Sequence, residues 1–314
     1  MLGVLVIVFS ITYLTPGDPV MFILGTEYTP EKYAELAHEM GLDKPFLVQL
    51  WNYFFNLVTK FDMGKSLTTN ISVSSEIAAR FPITVKVGLL SVLITLIIGM
   101  PLGILSAIKQ YSVLDTSLTA LALILAAVPN YVMALMCVIV FGVTLKWLPI
   151  TGLDSASSWI LPLTANSLAG VAVTTRMTRT TMLEVIRQDY VRTAKAKGQK
   201  RSIIISRHAL PNCLIPIVTS VSGSVAHVMA GSIIVETIFA IPGIGLYLTT
   251  GISSRDYSVI NGCVILLSFV VCILNLLVDI VYAAIDPRIK AQYVTRKKKA
   301  KADSVVVPDD AEVA

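Results

Sequence analysis

Long stretches free of Asp, Glu, Lys and Arg alternate with charged ones along most of this chain. They span 87–108, 116–145, 155–175, 209–235 and 257–278. Each exceeds the roughly 18–20 residues that an α-helix needs to cross about 30 Å of hydrocarbon. The 155–175 stretch is the weakest, because Ser, Thr and Asn dilute it. A further apolar run opens the chain, Met1 to Leu14, and stops at Thr15-Pro16-Gly17-Asp18-Pro19, a strong turn signal. It is short for a span and lacks the basic start of a signal peptide. Residues 1–14 therefore read as a first transmembrane helix without its cytoplasmic turns. The pattern predicts an all-α polytopic membrane protein with six transmembrane helices.

The segment 15–81 is long for a connection without structure of its own. Within it Leu42, Phe46, Leu47, Leu50, Trp51, Phe54, Leu57 and Val58 recur at helical spacing, which predicts an amphipathic helix over 45–59. Thr29-Pro30-Glu31 marks another helix start, with Pro at the first helical position. Residues 15–81 thus form an extracytoplasmic loop or small cap. Its amphipathic helix either lies on the membrane surface or serves as a docking surface or gate. Residues 82–285 form a five-helix core that includes a basic cytoplasmic loop, 176–210. Residues 286–314 read as a basic, disordered cytoplasmic tail.

Composition agrees with this division. Only 14% of residues are charged and mean hydropathy is +0.76, against about 25% charge in soluble domains. A soluble enzyme, a DNA-binding protein and a disordered scaffold are excluded. The net charge of +5 is an orientation signal. With both termini cytoplasmic, 17 of the 25 Lys and Arg residues fall in inside segments. The run Arg296-Lys297-Lys298-Lys299 suits anionic lipid or plain solvent. The chain is read as a multi-pass membrane protein with both termini cytoplasmic and with no nucleic-acid partner.

Candidate chemistry is sparse. Cys137, Cys213, Cys263 and Cys272 lie in apolar stretches as small hydrophobes, and the three histidines are scattered, so no metal site is expected. Gly64-Lys65-Ser66 lacks the earlier Gly of a phosphate loop, since Thr59 stands there. No nucleophile elbow or zinc-protease motif occurs, and no catalytic residue is assigned.

The loop 176–208 holds nine basic residues. Met182 to Lys197 carries good helix formers, Gly198 interrupts, and 199–208 resumes toward Leu210-Pro211. This predicts an exposed helical elbow. Polar groups at membrane depth are few: Asn130, Tyr131, Asn166, His227, Glu236 and Asp279. They either line a path or bond between helices. Glu236 adjoins a Pro/Gly turn, which favours a structural tie. Asp279 is expected to find an interhelical partner, Lys86 to snorkel, and Pro101, Pro129 and Pro216 to break their helices.

At the elbow the chain resembles the integral membrane permeases of ABC importers. Their cytoplasmic loop carries Glu-Ala-Ala, three residues, Gly, nine residues, then Ile-x-Leu-Pro. Here Arg192-Thr193-Ala194 stands for Glu-Ala-Ala, Gly198 follows at the right spacing, and His208-Ala209-Leu210-Pro211 closes the pattern. Arg192, Thr193 and His208 depart from the general form in the manner of the peptide/nickel branch. Asp189-Tyr190-Val191, Lys195-Ala196-Lys197, Phe61-Asp62-Met63-Gly64-Lys65-Ser66, Glu236 to Gly245, Arg255-Asp256-Tyr257 and Asp286-Pro287-Arg288 are similar to that branch too.

The resemblance implies a type I importer permease fold, multi-pass in the cytoplasmic (inner) membrane of a bacterium or archaeon. It implies a second, similar permease, two ATPase subunits and an extracytoplasmic solute-binding protein as partners. ATP and Mg would sit on the ATPases, with no cofactor on this chain. The elbow 184–201 would dock in an ATPase cleft, with Ala194, Ala196 and Gly198 allowing close approach and Arg192, Lys195 and Lys197 meeting acidic groups. Di- or oligopeptides are the implied substrates, with nickel or a nickel complex as the alternative. A stand-alone secondary transporter or channel predicts carboxylate relays or an inverted repeat, and neither is visible. A membrane-anchored receptor needs a larger soluble domain than any loop here provides.

Overall fold

The computed structural model describes residues 2–15, 18–25 and 29–285, and within these the chain is helical, with one isolated bridge between Lys65 and Ser72. The tail from 286, Asp286-Pro287-Arg288 included, lies outside the described residues. The chain opens with α1 (Leu2–Leu14), then three short helices, α2 (Pro19–Leu24), α3 (Pro30–Glu39) and α4 (Phe46–Lys60). The long helices α5 (Val73–Ile108) and α8 (Ile160–Ile186) form the centre. Between them α6 (Val113–Ala127) and α7 (Asn130–Cys137, continued as a π-helical turn Val138–Thr144) make a bent pair. Then come α9 (Asp189–Ala196), α10 (Arg201–Ile203), α11 (Leu210–Ile238), α12 (Ile244–Ser253) and α13 (Tyr257–Ile285). We call the end of the bundle near α4 and α12 the cap end, and the end near α9 the elbow end.

Among the described residues three helices are long and apolar enough to cross a membrane, or four if the bent pair is one span. They are α5, α13 and the run ending in α8. The protein is therefore a multi-pass membrane protein. α11, at 29 residues, and α1, at 13, are the other apolar segments in which spans were expected.

The pairing of α5 with α8 explains the weakest apolar window. On α5, Ser91, Thr95, Gly99 and Gly103 recur every fourth residue; on α8, Asn166, Gly170, Thr174 and Thr178 do the same, and all are buried except the half-buried Gly170. A Cβ at Gly103 would stand 2.5 Å from the Thr175 carbonyl oxygen, and one at Gly170 2.8 Å from Thr95 Oγ1. Glycine thus sets the closeness of the two backbones, the arrangement that small residues permit between membrane helices. Polar groups bridge the seam. Asn166 Nδ2 donates to Ser91 Oγ at 3.0 Å, and Thr175 Oγ1 donates to the Gly99 carbonyl at 3.2 Å.

Several sequence expectations change. Pro129 breaks its helix, with a 103° bend between α6 and α7, but Pro101 and Pro216 lie inside uninterrupted helices. Neighbouring helices supply what a proline-freed carbonyl needs, so a membrane proline need not end a helix. The boundary drawn at 81/82 falls within α5, which begins at Val73. The amphipathic cap helix runs Phe46–Lys60, and Thr29 caps α3 ahead of Pro30. α4 stacks on α1 through Phe9, Tyr13, Phe46 and Tyr53. Its opposite stripe, Leu47, Trp51, Phe55 and Val58, is exposed. Lys86 sits with its Nζ 4.4 Å from the Trp159 ring centroid, a cation–π contact in place of free snorkelling. Cys137, Cys213 and Cys263 are buried as expected, whereas Cys272 is exposed.

Candidate functional site

The elbow is built by local chemistry at both ends of α9. Gln188, in extended geometry, ends α8 and precedes α9, and Asp189 places a negative charge in the first turn. At the other end Gly198 takes φ +75°, its N–H donates to the Lys195 carbonyl at 3.0 Å, and the Gln199 N–H donates to the Ala194 carbonyl at 3.3 Å. These are the two bonds of a Schellman closure, and they require a left-handed residue that glycine adopts without strain.

α9 is packed on its own chain by one face only. Val191 and Ala194 are buried against Ile204. Its other residues, Asp189, Tyr190, Arg192, Thr193, Lys195 and Ala196, are exposed, as are Lys197, Gly198, Lys200 and Arg201 beyond it. Ala194 is thus a correction: it was expected to admit an outside partner, but the helix phase turns it inward, so Ala196 and Gly198 offer the open approach. Arg192 lies 3.8 Å from Asp189, with side chains 74% and 98% exposed, so this pair leaves the basic face available.

The elbow is braced to the bundle at three points. Arg201 donates to the Ile108 carbonyl at the end of α5 at 2.8 Å. His208 Nε2 and Gln199 Oε1 are 2.8 Å apart, and Asn212 Nδ2 donates to the His208 carbonyl at 2.8 Å. Burial raises the Tyr190 phenol above its ordinary pKa. His208, expected as part of an exposed motif, therefore acts as a brace. The second half of the elbow also differs from expectation. It does not end at Leu210-Pro211: α10 passes through a π-helical turn, Ile204–Ala209, into α11, with Pro211 in the first turn of α11. The wider turn, and a position where an N–H is dispensable, let the proline sit without a break.

Next to the elbow a charge pair pins α6 to α8. Arg179 holds Asp115 with two bonds, Nε to Oδ1 at 2.6 Å and Nη2 to Oδ2 at 2.8 Å. Ser106 Oγ and the Tyr111 N–H donate to the same carboxylate, which is almost fully buried.

At the cap end the carboxylates are held by neutral donors. Glu236 is fully buried: Ser232 Oγ donates to it at 2.8 Å and the Gly245 N–H at 2.7 Å. Beside it, Thr84 Oγ1 accepts from the Ile244 N–H at 2.8 Å. A Cβ at Gly243 would lie 2.3 Å from Glu236 Oε2, so the 242–245 turn wraps the carboxylate closely. Asp256 ties the distant outer segment: Ser66 Oγ donates to it at 2.6 Å and the Val259 N–H at 3.2 Å. Ser66 belongs to the string that mimicked a phosphate loop; here it locks the cap to the start of α13.

The description "Binding-protein-dependent transport system inner membrane component" matches residues 99–291, and its N-terminal counterpart matches residues 1–88. The chain belongs to this family. A putative peptide transport system permease protein of Brucella abortus is 40% identical over 92% of this chain and 95% of its own length. The dipeptide transport system permease protein DppB of Escherichia coli K12 is 33% identical over 92% and 94%. The inward-facing MetNI methionine ABC transporter covers 67% of this chain and 96% of its own, with a TM-score of 0.58 at 18% identity, a likeness of fold.

In this binding-protein-dependent permease component, the polar residues expected at depth are scattered. Asn166 lies in the α5/α8 seam and Glu236 in the cap-end knot. Asn130 opens α7 just after the bend, and its neighbour Tyr131 is 52% exposed. Asp279 is exposed on α13, and among the described residues no cation pairs with it, contrary to the expected interhelical partner. The side chain of His227 lies outside the described residues. Reading the sequence missed Asp115–Arg179 and Asp256–Ser66, whose partners stand 64 and 190 residues apart. It also missed the seam, although the four-residue spacing of small residues on both helices was a visible signal.

Proposed function

We propose that this family member is the permease subunit of an ATP-binding cassette importer that carries di- or oligopeptides. The observation that carries the reading is the elbow around α9: a short basic helix, open on its outer side, closed by Gly198 and braced to α5 and to the turn that leads into α11. The peptide-transport relatives supply the substrate class. Both termini are cytoplasmic, which places the elbow in the cytoplasm beneath the membrane. Two ATPase subunits bind there and hold ATP and magnesium, while this chain binds no cofactor and catalyses no reaction. A second, similar permease completes the path, and an extracytoplasmic binding protein delivers peptide. A six-span topology, with α1, α5, the bent pair, α8, α11 and α13 as spans, fits this arrangement.

The mechanism follows from the bracing. Closure of the ATPase pair displaces α9 as a rigid body, since its inner face is packed on Ile204 and its end is held by Gln199–His208. α9 connects to α8 on one side and α11 on the other, so both long helices tilt with it. The Asp115–Arg179 pair carries the N-terminal end of α6 along with α8. Rigid-body rocking of this kind opens one side as it closes the other.

ATP-dependent uptake in proteoliposomes of the complete complex tests this. Gly198→Pro forbids the positive φ, and Ala196→Glu puts bulk and negative charge on the open face while sparing Ala194. Both variants should insert and fold, yet lose uptake and peptide-stimulated ATP hydrolysis. Solute movement without any ATPase, indifferent to these changes, would overturn the proposal in favour of a secondary transporter or channel.

A further inference from the structure

Most of α8 is buried against α5, α6 and α11, and one strip of it is open. Val173 is 40% exposed, and Thr180 and Glu184 are exposed on the same side. Arg176 stands at the edge of this strip, half-buried, about 15 Å from the elbow end of α8 at 1.5 Å per residue. Its Nε is buried without a hydrogen-bond partner. Among the described residues no acid pairs with it. Arg179, one turn on, shows the contrast, because it is fully engaged by Asp115.

The sequence assigned Arg176 to the cytoplasmic loop, but α8 continues to Ile186, so the residue stands within the helix; a guanidinium facing lipid there is costly, and such residues face a protein partner or a watery path. A permease path must carry its cargo past one side of the central helices, and the open strip is the side of α8 that this chain leaves uncovered. Arginine's planar fork matches a carboxylate with two parallel bonds. Every unmodified peptide brings one obligatory anion, its terminal carboxylate.

We propose that Arg176 is a substrate-contacting residue of the path that binds the terminal carboxylate of a peptide in transit. This rests on the peptide-import reading and adds a specificity determinant to it.

The test uses the complete complex in proteoliposomes, with a dipeptide and its C-terminal amide, each loaded on the binding protein to saturation. Arg176→Gln should lower uptake of the free acid per ATP hydrolysed by about ten-fold and leave the amide unchanged. Arg176→Lys should restore part of the loss, because it keeps the charge without the fork. A second measurement works without delivery: Thr180→Cys on a Cys272→Ser background is labelled with a maleimide. Free-acid peptide should slow labelling when Arg176 is present and not when it is Gln. Equal loss for acid and amide, with the complex falling apart on gel filtration, would overturn the proposal and assign the carboxylate to the companion permease. No change in uptake or protection would overturn it as well. Failure of the unaltered complex to take up peptide, with protection still dependent on Arg176, would count against the import reading alone.

Discussion

The two ends of the bundle hold their buried carboxylates in different ways. At the cap end Glu236 and Asp256 are satisfied by hydroxyls and backbone N–H groups of the same chain. At the elbow end Asp115 is met by a full positive charge, and further cations stand free on α9 a short distance away. Neutral donors fix a geometry without leaving unspent charge, so the cap end is closed upon itself. The elbow end is strongly cross-linked inside and strongly charged outside. That combination suits a surface that another protein grips and moves.

The largest effect should come from breaking the elbow-end pair. Arg179→Ala strands a buried carboxylate, and a loss of about 3–5 kcal/mol is expected, read as a fall in thermal stability or the absence of monodisperse protein in detergent. Asp115→Ala with Arg179→Ala should recover part of that loss, because neither charge is then left alone. Glu236→Ala should cost less, about 2–3 kcal/mol, by orphaning the Gly245 N–H and the Ser232 hydroxyl. Glu236→Gln, which keeps an acceptor, should lie nearer the parent on the same melting assay. If Gln proves as damaging as Ala, the negative charge itself matters and the contrast between the ends weakens.

Asp256→Asn should be milder again, about 1 kcal/mol, and should chiefly loosen the 61–70 segment. Faster proteolysis there, with the rest of the chain unchanged, is the expected observation. Smallest in stability should be the triple change Arg192→Glu, Lys195→Glu and Lys197→Glu. Exposed substitutions of this kind stay within about 0.5 kcal/mol each. Their effect should instead be lost co-purification with the ATPase subunits. A chain that melts early with these changes would show that the basic face supports the fold rather than a partner.

The weakest apolar window teaches how far hydropathy reaches. Residues 155–175 are less apolar because Ser, Thr and Asn interrupt them, yet the run ending in α8 is the most buried of the three spans. Inside a helical bundle, closeness of approach replaces apolar surface, and Gly99, Gly103 and Gly170 set that closeness. α13 shows the converse: its window is the most hydropathic of the spans and the least buried, at 11%. The prolines divided for a similar reason. Pro129 sits at a bend, while Pro101 and Pro216 are absorbed within helices by their surroundings.

The sequence by itself determined the class of the protein, its helical segments, the Gly-interrupted elbow and the family. Those depend on local properties: length of apolar runs, turn residues, motif spacing and the distribution of Lys and Arg. Only the tertiary structure decided which face of α9 is open, and hence that Ala194 points inward while Ala196 does not. It also decided that Asp115 belongs to Arg179, that Ser66 belongs to Asp256, and that Arg176 is left without a partner among the described residues. Each of these depends on side chains brought together across tens to hundreds of residues, which no local pattern encodes.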